Sequence, residues 1–440
     1  MKRDLLGTVQ SIVRAAPRAT VRGRVVRLVG HLIEAHLPGG RVGTLVDVER
    51  GDQLLRGEII GFRDDVSLVF PLGDVRGIGP GAAVSLTDRV ADIGVSSQLL
   101  GRVIDPFGHP LDGGPAIPAE TTAPLDRPAP PIDQRLRIME RFETGVRAID
   151  VLLTCGRGQR VGLFAGAGVG KTMLIRQIAE QSRADATVIG LIGERGGEVR
   201  DLLESKLGPR SVVVVATSDR SALERVRGAR AATAIAEHLR DQGKHVLLVL
   251  DSLTRYAMAL REVGLAAGEP PATKGYPPSV FAALPQLLER ASPLSGRGSI
   301  TGFYTVLVEG DDLSDPIADA ARSLLDGHIV LSRDLASRGH FPAISVLESA
   351  SRVARNVAEP AVLALAEQAR ALLAQKKEAD ELRSLGAYHP GNNAALDEAV
   401  ALGNRVIGWS RQRPEERVGA EQAAAQLAAL LRNDGKVVNR

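Results

Sequence analysis

Residues 161–181 read VGLFAGAGVGKTMLIRQIAEQ, and the order of patterns within them decides the fold. An apolar run, VGLF, leads into AGAGVGKT at 165–172, which opens onto the helical stretch MLIRQIAEQ. Strand, glycine-rich loop and helix in that order form a phosphate-binding P-loop. Gly166, Gly168 and Gly170 permit the tight backbone path that turns N–H groups toward phosphate oxygens, and a helix starting near Lys171 adds its positive dipole end. Ala165, Ala167, Val169 and Met173 complete the expected nucleotide-binding segment. Lys171 is expected to reach the β- and γ-phosphates. The Thr172 hydroxyl suits Mg²⁺, a cation that keeps several waters and takes few protein ligands. Ala165 stands where the pattern usually has glycine, a mild departure because the later glycines carry the tightest turn.

Outward from the loop, apolar runs at 161–164, 188–192, 212–216, 246–250 and 300–308 alternate with helical patterns, including 171–182 and 221–241. This alternation is the mark of βαβ units and a mainly parallel sheet, whose ligands gather at the carboxyl ends of the strands. Two acids fall at such ends. HVLLVLD closes on Asp251, placed to hold Mg²⁺ through water, although an acid there also serves commonly as an N-cap. VIGLI delivers GERG, making Glu194 the candidate base that orients and activates water; the plainer alternative is a surface Glu paired with Arg195 or Arg200. Arg352, in SASRVAR, is the candidate arginine finger compensating charge on a transferred phosphoryl group, a choice that chemistry alone does not make among the 47 arginines.

A chain of 440 residues exceeds the roughly 250–300 at which single cores stop growing, so several domains are expected. We place a docking segment at 1–20, where Leu5, Val9, Ile12 and Val13 share one helical face, and a β-barrel at 21–95, where short β-rich runs are separated by Gly, Pro and Asp turns. The nucleotide domain is expected over 96–355, a helical domain over 356–432 and a frayed tail over 433–440. Between Pro115 and Pro131 six prolines mark a surface connector with no helix or central strand.

Hydrophobic residues at 44% and charged residues at 24% exclude a disordered or collagen-like chain. A net charge of +3 gives no argument for a nucleic-acid partner. The single cysteine, Cys155, allows neither an internal disulfide nor a cysteine zinc site, which points to the cytosol. No apolar run approaches the ~20 residues of a membrane span and no signal peptide is evident, so membrane contact is expected to be peripheral.

GAGVGKT, IGERGGEVRD, VLLVLDSLTRYA, GEPPATKGYPPSVF, VEGDDLSDPIAD, DGHIVLSRDLASRGHFPAISVLESASR and LGAYHPG, taken in order, resemble the ATPases of bacterial type III protein export. These are the flagellar export ATPase and its injectisome counterpart, relatives of the F-type ATP synthase catalytic subunit. The resemblance implies an α/β, RecA-like P-loop NTPase core with an N-terminal β-barrel and a C-terminal α-helical domain. It also implies a homohexamer hydrolysing ATP with Mg²⁺ between neighbouring subunits. Carried over by motif, Arg195 joins the network of Glu194, and Arg352 reaches a neighbour's γ-phosphate. Phe341, in HFPAI, matches the aromatic that packs on adenine, with Tyr388 of GAYHPG as a second wall; ordinary core is the alternative for Phe341.

Implied partners are a regulator or stator protein, a central stalk and chaperone–substrate complexes, at the inner face of the cytoplasmic membrane. LGAYHPG leans toward the flagellar enzyme. One departure from the family pattern is Gly197, where arginine is usual after GERG. A rotary synthase subunit shares the same nucleotide engine, as does a hexameric RNA translocase. The translocase is disfavoured because the barrel region offers only Phe62 and Phe70 for stacking on bases.

Overall fold

The computed structural model describes residues 21–204, 208–308 and 315–432, so the expected docking segment at 1–20 and the tail at 433–440 lie outside the described residues. The described residues form two compact units, one of residues 21–91 with Ala266–Gly268, the other of the remaining described residues.

The first unit is a closed antiparallel barrel. Its strands, Arg22–Val29, Leu32–His36, Thr44–Arg50, Gln53–Arg63, Val66–Pro71 and Ala83–Val90, run around it in the order first, second, fifth, fourth, third, sixth. Alternate residues such as Val46, Val48, Ile59, Val69 and Val84 point inward and fill it, and closure removes the free strand edges that would otherwise pair with other chains. The sequence pattern under-reads the sixth strand because Ala83–Val90 carries Ser, Thr, Asp and Arg among its apolar residues. The expected boundary at 95 shifts with it. Asp92–Val95 belongs to the second unit and pairs antiparallel with Thr121–Pro124. The proline-rich connector therefore holds a short strand, and Leu125 just after it is fully buried. A two-stranded ladder of four residues tolerates proline at its end because little N–H donation is lost there.

The second unit is built on an eight-stranded sheet in the order Ile344–Ser351, Gly327–Leu331, Arg160–Ala165, Ser299–Leu307, His245–Asp251, Ala186–Ile192, Ser211–Ala216 and Val103–Ile104. All neighbours are parallel except Ile344–Ser351, which returns antiparallel on Gly327–Leu331. Ala186–Ile192 and Ser211–Ala216 are buried along their whole length, which is why they read as continuous apolar runs instead of alternating ones. The helix Ala222–Asp241 is started by a capping box, Ser221 accepting from the Glu224 N–H while the Glu224 carboxylate accepts from the Ser221 N–H.

Three C-terminal helices follow, Pro360–Ser384, Ala394–Ser410 and Ala420–Arg432. The expected boundary at 355 falls just before them, and they pack on the nucleotide domain without forming a separate compact unit. Val362, Leu402, Trp409 and Leu427 share one hydrophobic core with Phe142, Ile149, Leu163 and Ile329. The parallel strands bring Ala165, Ile192, Asp251 and Leu307 to one edge of the sheet.

Beneath the helices of this unit, Arg290 and Glu237 form a buried pair 2.6 Å apart, with Arg290 also donating to the Leu125 carbonyl. Glu237→Ala would leave the guanidinium buried without its counter-charge, at a cost of about 3–5 kcal/mol. Denaturant unfolding of the variant should show a midpoint lowered accordingly, while Arg297→Ala, on an exposed pair with Asp241, should change stability by less than about 1 kcal/mol.

Candidate active site

The loop after Arg160–Ala165 takes its shape from two glycines in left-handed backbone, Gly168 at φ 77° and Gly170 at φ 87°; Gly166 has no such requirement. Gly170 is the N-cap of helix Lys171–Gln181 and provides no side-chain acceptor. The helix's first N–H groups are thus left for an anion. Val169 is 1% exposed and points into the core, so it anchors the loop and leaves only backbone for a ligand. A cavity of about 950 Å³ opens above, lined along the loop by Ala165, Gly166, Ala167, Gly168, Gly170 and Lys171, continuing to Thr172 and Met173.

Lys171 is the hub. Its Nζ lies 2.5 Å from Asp251 Oδ1 and 3.5 Å from Glu194 Oε1. Asp251, 4% exposed, also accepts from Thr305 Oγ1 at 2.6 Å. The N-cap alternative for Asp251 fails on geometry, since Ser252 Oγ receives the Arg255 N–H of the following helix and leaves the Asp251 carboxylate to Lys171 and Thr305. Asp251 is not among the residues that line the cavity.

Glu194 stands just past Gly193, whose φ is 70° and where a Cβ would meet the Arg255 side chain at 2.9 Å. Only glycine makes that turn without strain, and it delivers Glu194 beside Lys171. Glu194 is 6% exposed, and Arg200, its alternative surface partner, is instead paired with Glu204. Burial, then the nearby Asp251 charge, pushes the Glu194 carboxyl up to about 7, against the pull of Lys171. Burial disfavours the Lys171 cation as well, yet Asp251 and Glu194 outweigh it and hold Lys171 above its ordinary value. Arg195 lines the cavity. At Gly197 a Cβ would meet open space, and nothing in the structure explains the absence of arginine there.

The remaining expected residues divide. Phe341 is 45% exposed, so it is not ordinary core, and its ring would lie 3.2 Å from a Cβ placed on Gly170. It therefore flanks the P-loop at Gly170 with a free face, just outside the cavity lining. Tyr388 is not brought to the cavity: it sits in the turn before Ala394–Ser410 with its hydroxyl bonded to Asp397, which corrects its expected place as a second wall. Arg352 is exposed and lies at the opposite end of the sheet. Its N–H bonds the Asp326 carbonyl beside Arg160, the first residue of the P-loop strand, roughly 16 Å of strand away from the loop.

Sequence reasoning passed over Glu198, Arg255, Arg261, Lys274, Tyr276 and Arg333, all of which line the cavity. Arg255, Met258 and Arg261 recur at helical spacing on Leu253–Ala267, a periodicity that marks one face of that helix. Lys274 and Tyr276 come from GEPPATKGYPPS, with Lys274 in left-handed backbone at φ 48° and Arg261 stacked 5.0 Å over the Tyr276 ring. Its cations Lys171, Arg195, Arg255, Arg261, Lys274 and Arg333 outnumber its acids Glu194, Glu198 and Asp315, so the cavity beside the glycine loop and helix N-terminus suits a polyphosphate.

Comparison with known proteins agrees with this geometry. Residues 25–88 match the β-barrel domain of the ATP synthase alpha/beta family and residues 145–351 its nucleotide-binding domain. Residues 358–429 match the type III secretion EscN ATPase C-terminal domain. The flagellum-specific ATP synthase of Bacillus subtilis is 45% identical over 94% of this chain and 95% of its own length. The type 3 secretion system ATPase of Sinorhizobium fredii is 46% identical over 97% and 95%. Identity thus favours neither the flagellar nor the injectisome branch. The assembled ATPase EscN of enteropathogenic E. coli superposes with a TM-score of 0.87 at 42% identity, covering 93% of this chain and all of that one, and EscN with its central stalk EscO with a TM-score of 0.84. With barrel, nucleotide sheet and helical end all matched in order, the chain belongs to the ATP synthase alpha/beta family, among its flagellum-specific and type 3 secretion system ATPases.

Proposed function

We propose that the protein hydrolyses ATP, in a ring of identical subunits, to release chaperones from export substrates and unfold them for a type III export apparatus. The observation that carries this reading is the buried cluster in which Lys171 bridges Glu194 and Asp251 at the mouth of the P-loop. The loop N–H groups and Lys171 bind and orient the phosphates, Lys171 exchanging Asp251 for phosphate oxygens as they arrive. The Thr172 hydroxyl in the cavity lining and, through water, the Asp251 carboxylate are hard oxygen donors that fit Mg²⁺. When bound, Mg²⁺ supplies charge neutralisation on the phosphates. Glu194, held away from bulk water, accepts the proton of the attacking water. Arg195 lies beside it in the cavity wall, and Phe341 offers its free face to the base.

Arg352 is too far from the loop of its own subunit to act there, which supports a role at a neighbour's site. The likeness to EscN assembled on EscO supports a ring around a central stalk. A regulator or stator protein, chaperone–substrate complexes and a peripheral position at the inner membrane face complete the proposal; no described helix is long and apolar enough to cross a membrane.

Lys171→Ala should weaken nucleotide affinity at least ~10-fold in a fluorescent-nucleotide titration, because a charge-assisted phosphate contact is lost. Glu194→Gln should keep nucleotide binding while turnover falls by ~100-fold or more. In the wild type, kcat/KM should rise with pH through about 7 as Glu194 ionises, and that acid limb should vanish in the residual activity of Glu194→Gln. Mixing inactive Lys171→Ala subunits with inactive Arg352→Ala subunits should restore partial ATPase activity, since an intact Lys171 can then meet a neighbour's intact Arg352. Failure of mixed rings to recover any activity would place Arg352 outside the neighbour's site.

A further inference from the structure

Phe341 stands in a loop with nearly half its surface exposed, yet its carbonyl is fixed from a remote part of the chain. The Gln412 N–H donates to the Phe341 carbonyl at 3.0 Å. Gln412 itself is 3% exposed and its side chain is fully engaged. Its Oε1 accepts from the Arg147 N–H at 2.8 Å, and its Nε2 donates to the Gly145 carbonyl at 2.8 Å and the Glu416 carbonyl at 2.9 Å. The two residues before it grip His340, the neighbour of Phe341. Arg411 Nε donates to His340 Nδ1 at 3.2 Å, and because that guanidinium nitrogen can only donate, His340 is left with its proton on Nε2, facing Ser410 Oγ at 3.2 Å. Residues 410–412 thus form a ladder against 340–341, at the end of helix Ala394–Ser410.

We propose that Gln412 is the positioning residue for the nucleotide base. Its side chain locks the 412 backbone to Gly145, Arg147 and Glu416, and that backbone holds Phe341 against Gly170. The inference rests on Phe341 being the base platform. Gln412 acts through it without touching the base, since both amide protons of Gln412 are already committed within the protein. The consequence is that the C-terminal helices, through the 410–412 ladder, set how well the site holds a base, while the phosphates answer to the P-loop and the cations of the cavity.

The test compares a ligand that has a base with one that has none. KM for ATP and the inhibition constant of inorganic tripolyphosphate are measured on the full chain for Gln412→Ala, Gln412→Glu and Phe341→Ala. Gln412→Glu keeps the shape but loses the donors toward Gly145 and Glu416, so it supplies a second variant should Gln412→Ala fold poorly. Both Gln412 variants should raise KM for ATP about tenfold, with a smaller change in kcat and no change in tripolyphosphate inhibition. Gln412→Ala should add nothing to Phe341→Ala in the double variant. Equal loss toward ATP and tripolyphosphate, or additive effects, would overturn the inference by reducing Gln412 to a general brace. If Phe341→Ala shows the base-selective loss and the Gln412 variants do not, the inference alone fails; if Phe341→Ala leaves KM for ATP unchanged, the platform reading falls and the inference with it.

Discussion

One ammonium group between two carboxylates governs the site. Lys171 reaches Asp251 and Glu194 across a sheet edge from which water is largely excluded, and there each ion would be costly alone. Burial first, and then the negative charge of Asp251 sharing the one cation, push the Glu194 carboxyl toward neutrality. In the proposed reaction an arriving polyphosphate competes for Lys171, and a carboxyl poised near neutral pH is suited to take a proton from water.

The demands of this triad explain much of the surrounding structure. Three strands must end together, so Arg160–Ala165, Ala186–Ile192 and His245–Asp251 are parallel and buried. Tight exits are needed from those ends, so glycine occupies 168, 170 and 193 in left-handed backbone. Thr305, on the strand beside Asp251, donates to the same carboxylate oxygen and fixes its orientation. At the far end of the P-loop strand, Arg160 is clamped by Asp326 and Glu289, and the Asp326 carbonyl receives the Arg352 N–H. One strand therefore carries the phosphate loop at one end and the mounting of Arg352 at the other.

Glycine spacing, apolar runs and strand-end acids were legible because each is a local pattern: AGAGVGKT needs no partner to declare a phosphate loop, and HVLLVLD announces a buried strand ending in an acid. The strands Gly327–Leu331 and Ile344–Ser351 were harder to see, one being short and the other carrying Ser and Glu at a sheet edge where neither face need be wholly apolar. Tyr388 misled because a shared motif says nothing about direction, and Asp397 draws its hydroxyl away. Gln412 gave no local signal at all. Its partners are Gly145, Arg147 and Phe341, remote in the chain and adjacent only after folding.

By itself the sequence determined the elements, the phosphate loop and the two acids that serve it, since these follow from periodicity and from the backbone freedom of glycine, which act over a few residues. Tertiary structure decided what those residues do to one another. It made Ser252 the helix cap and so released Asp251 for Lys171, turned Phe341 toward Gly170, sent Arg352 to the far end of the sheet and merged the helical end into the nucleotide core. Distance, burial and charge coupling exist only between segments that the fold brings together, and no reading along a single chain contains them.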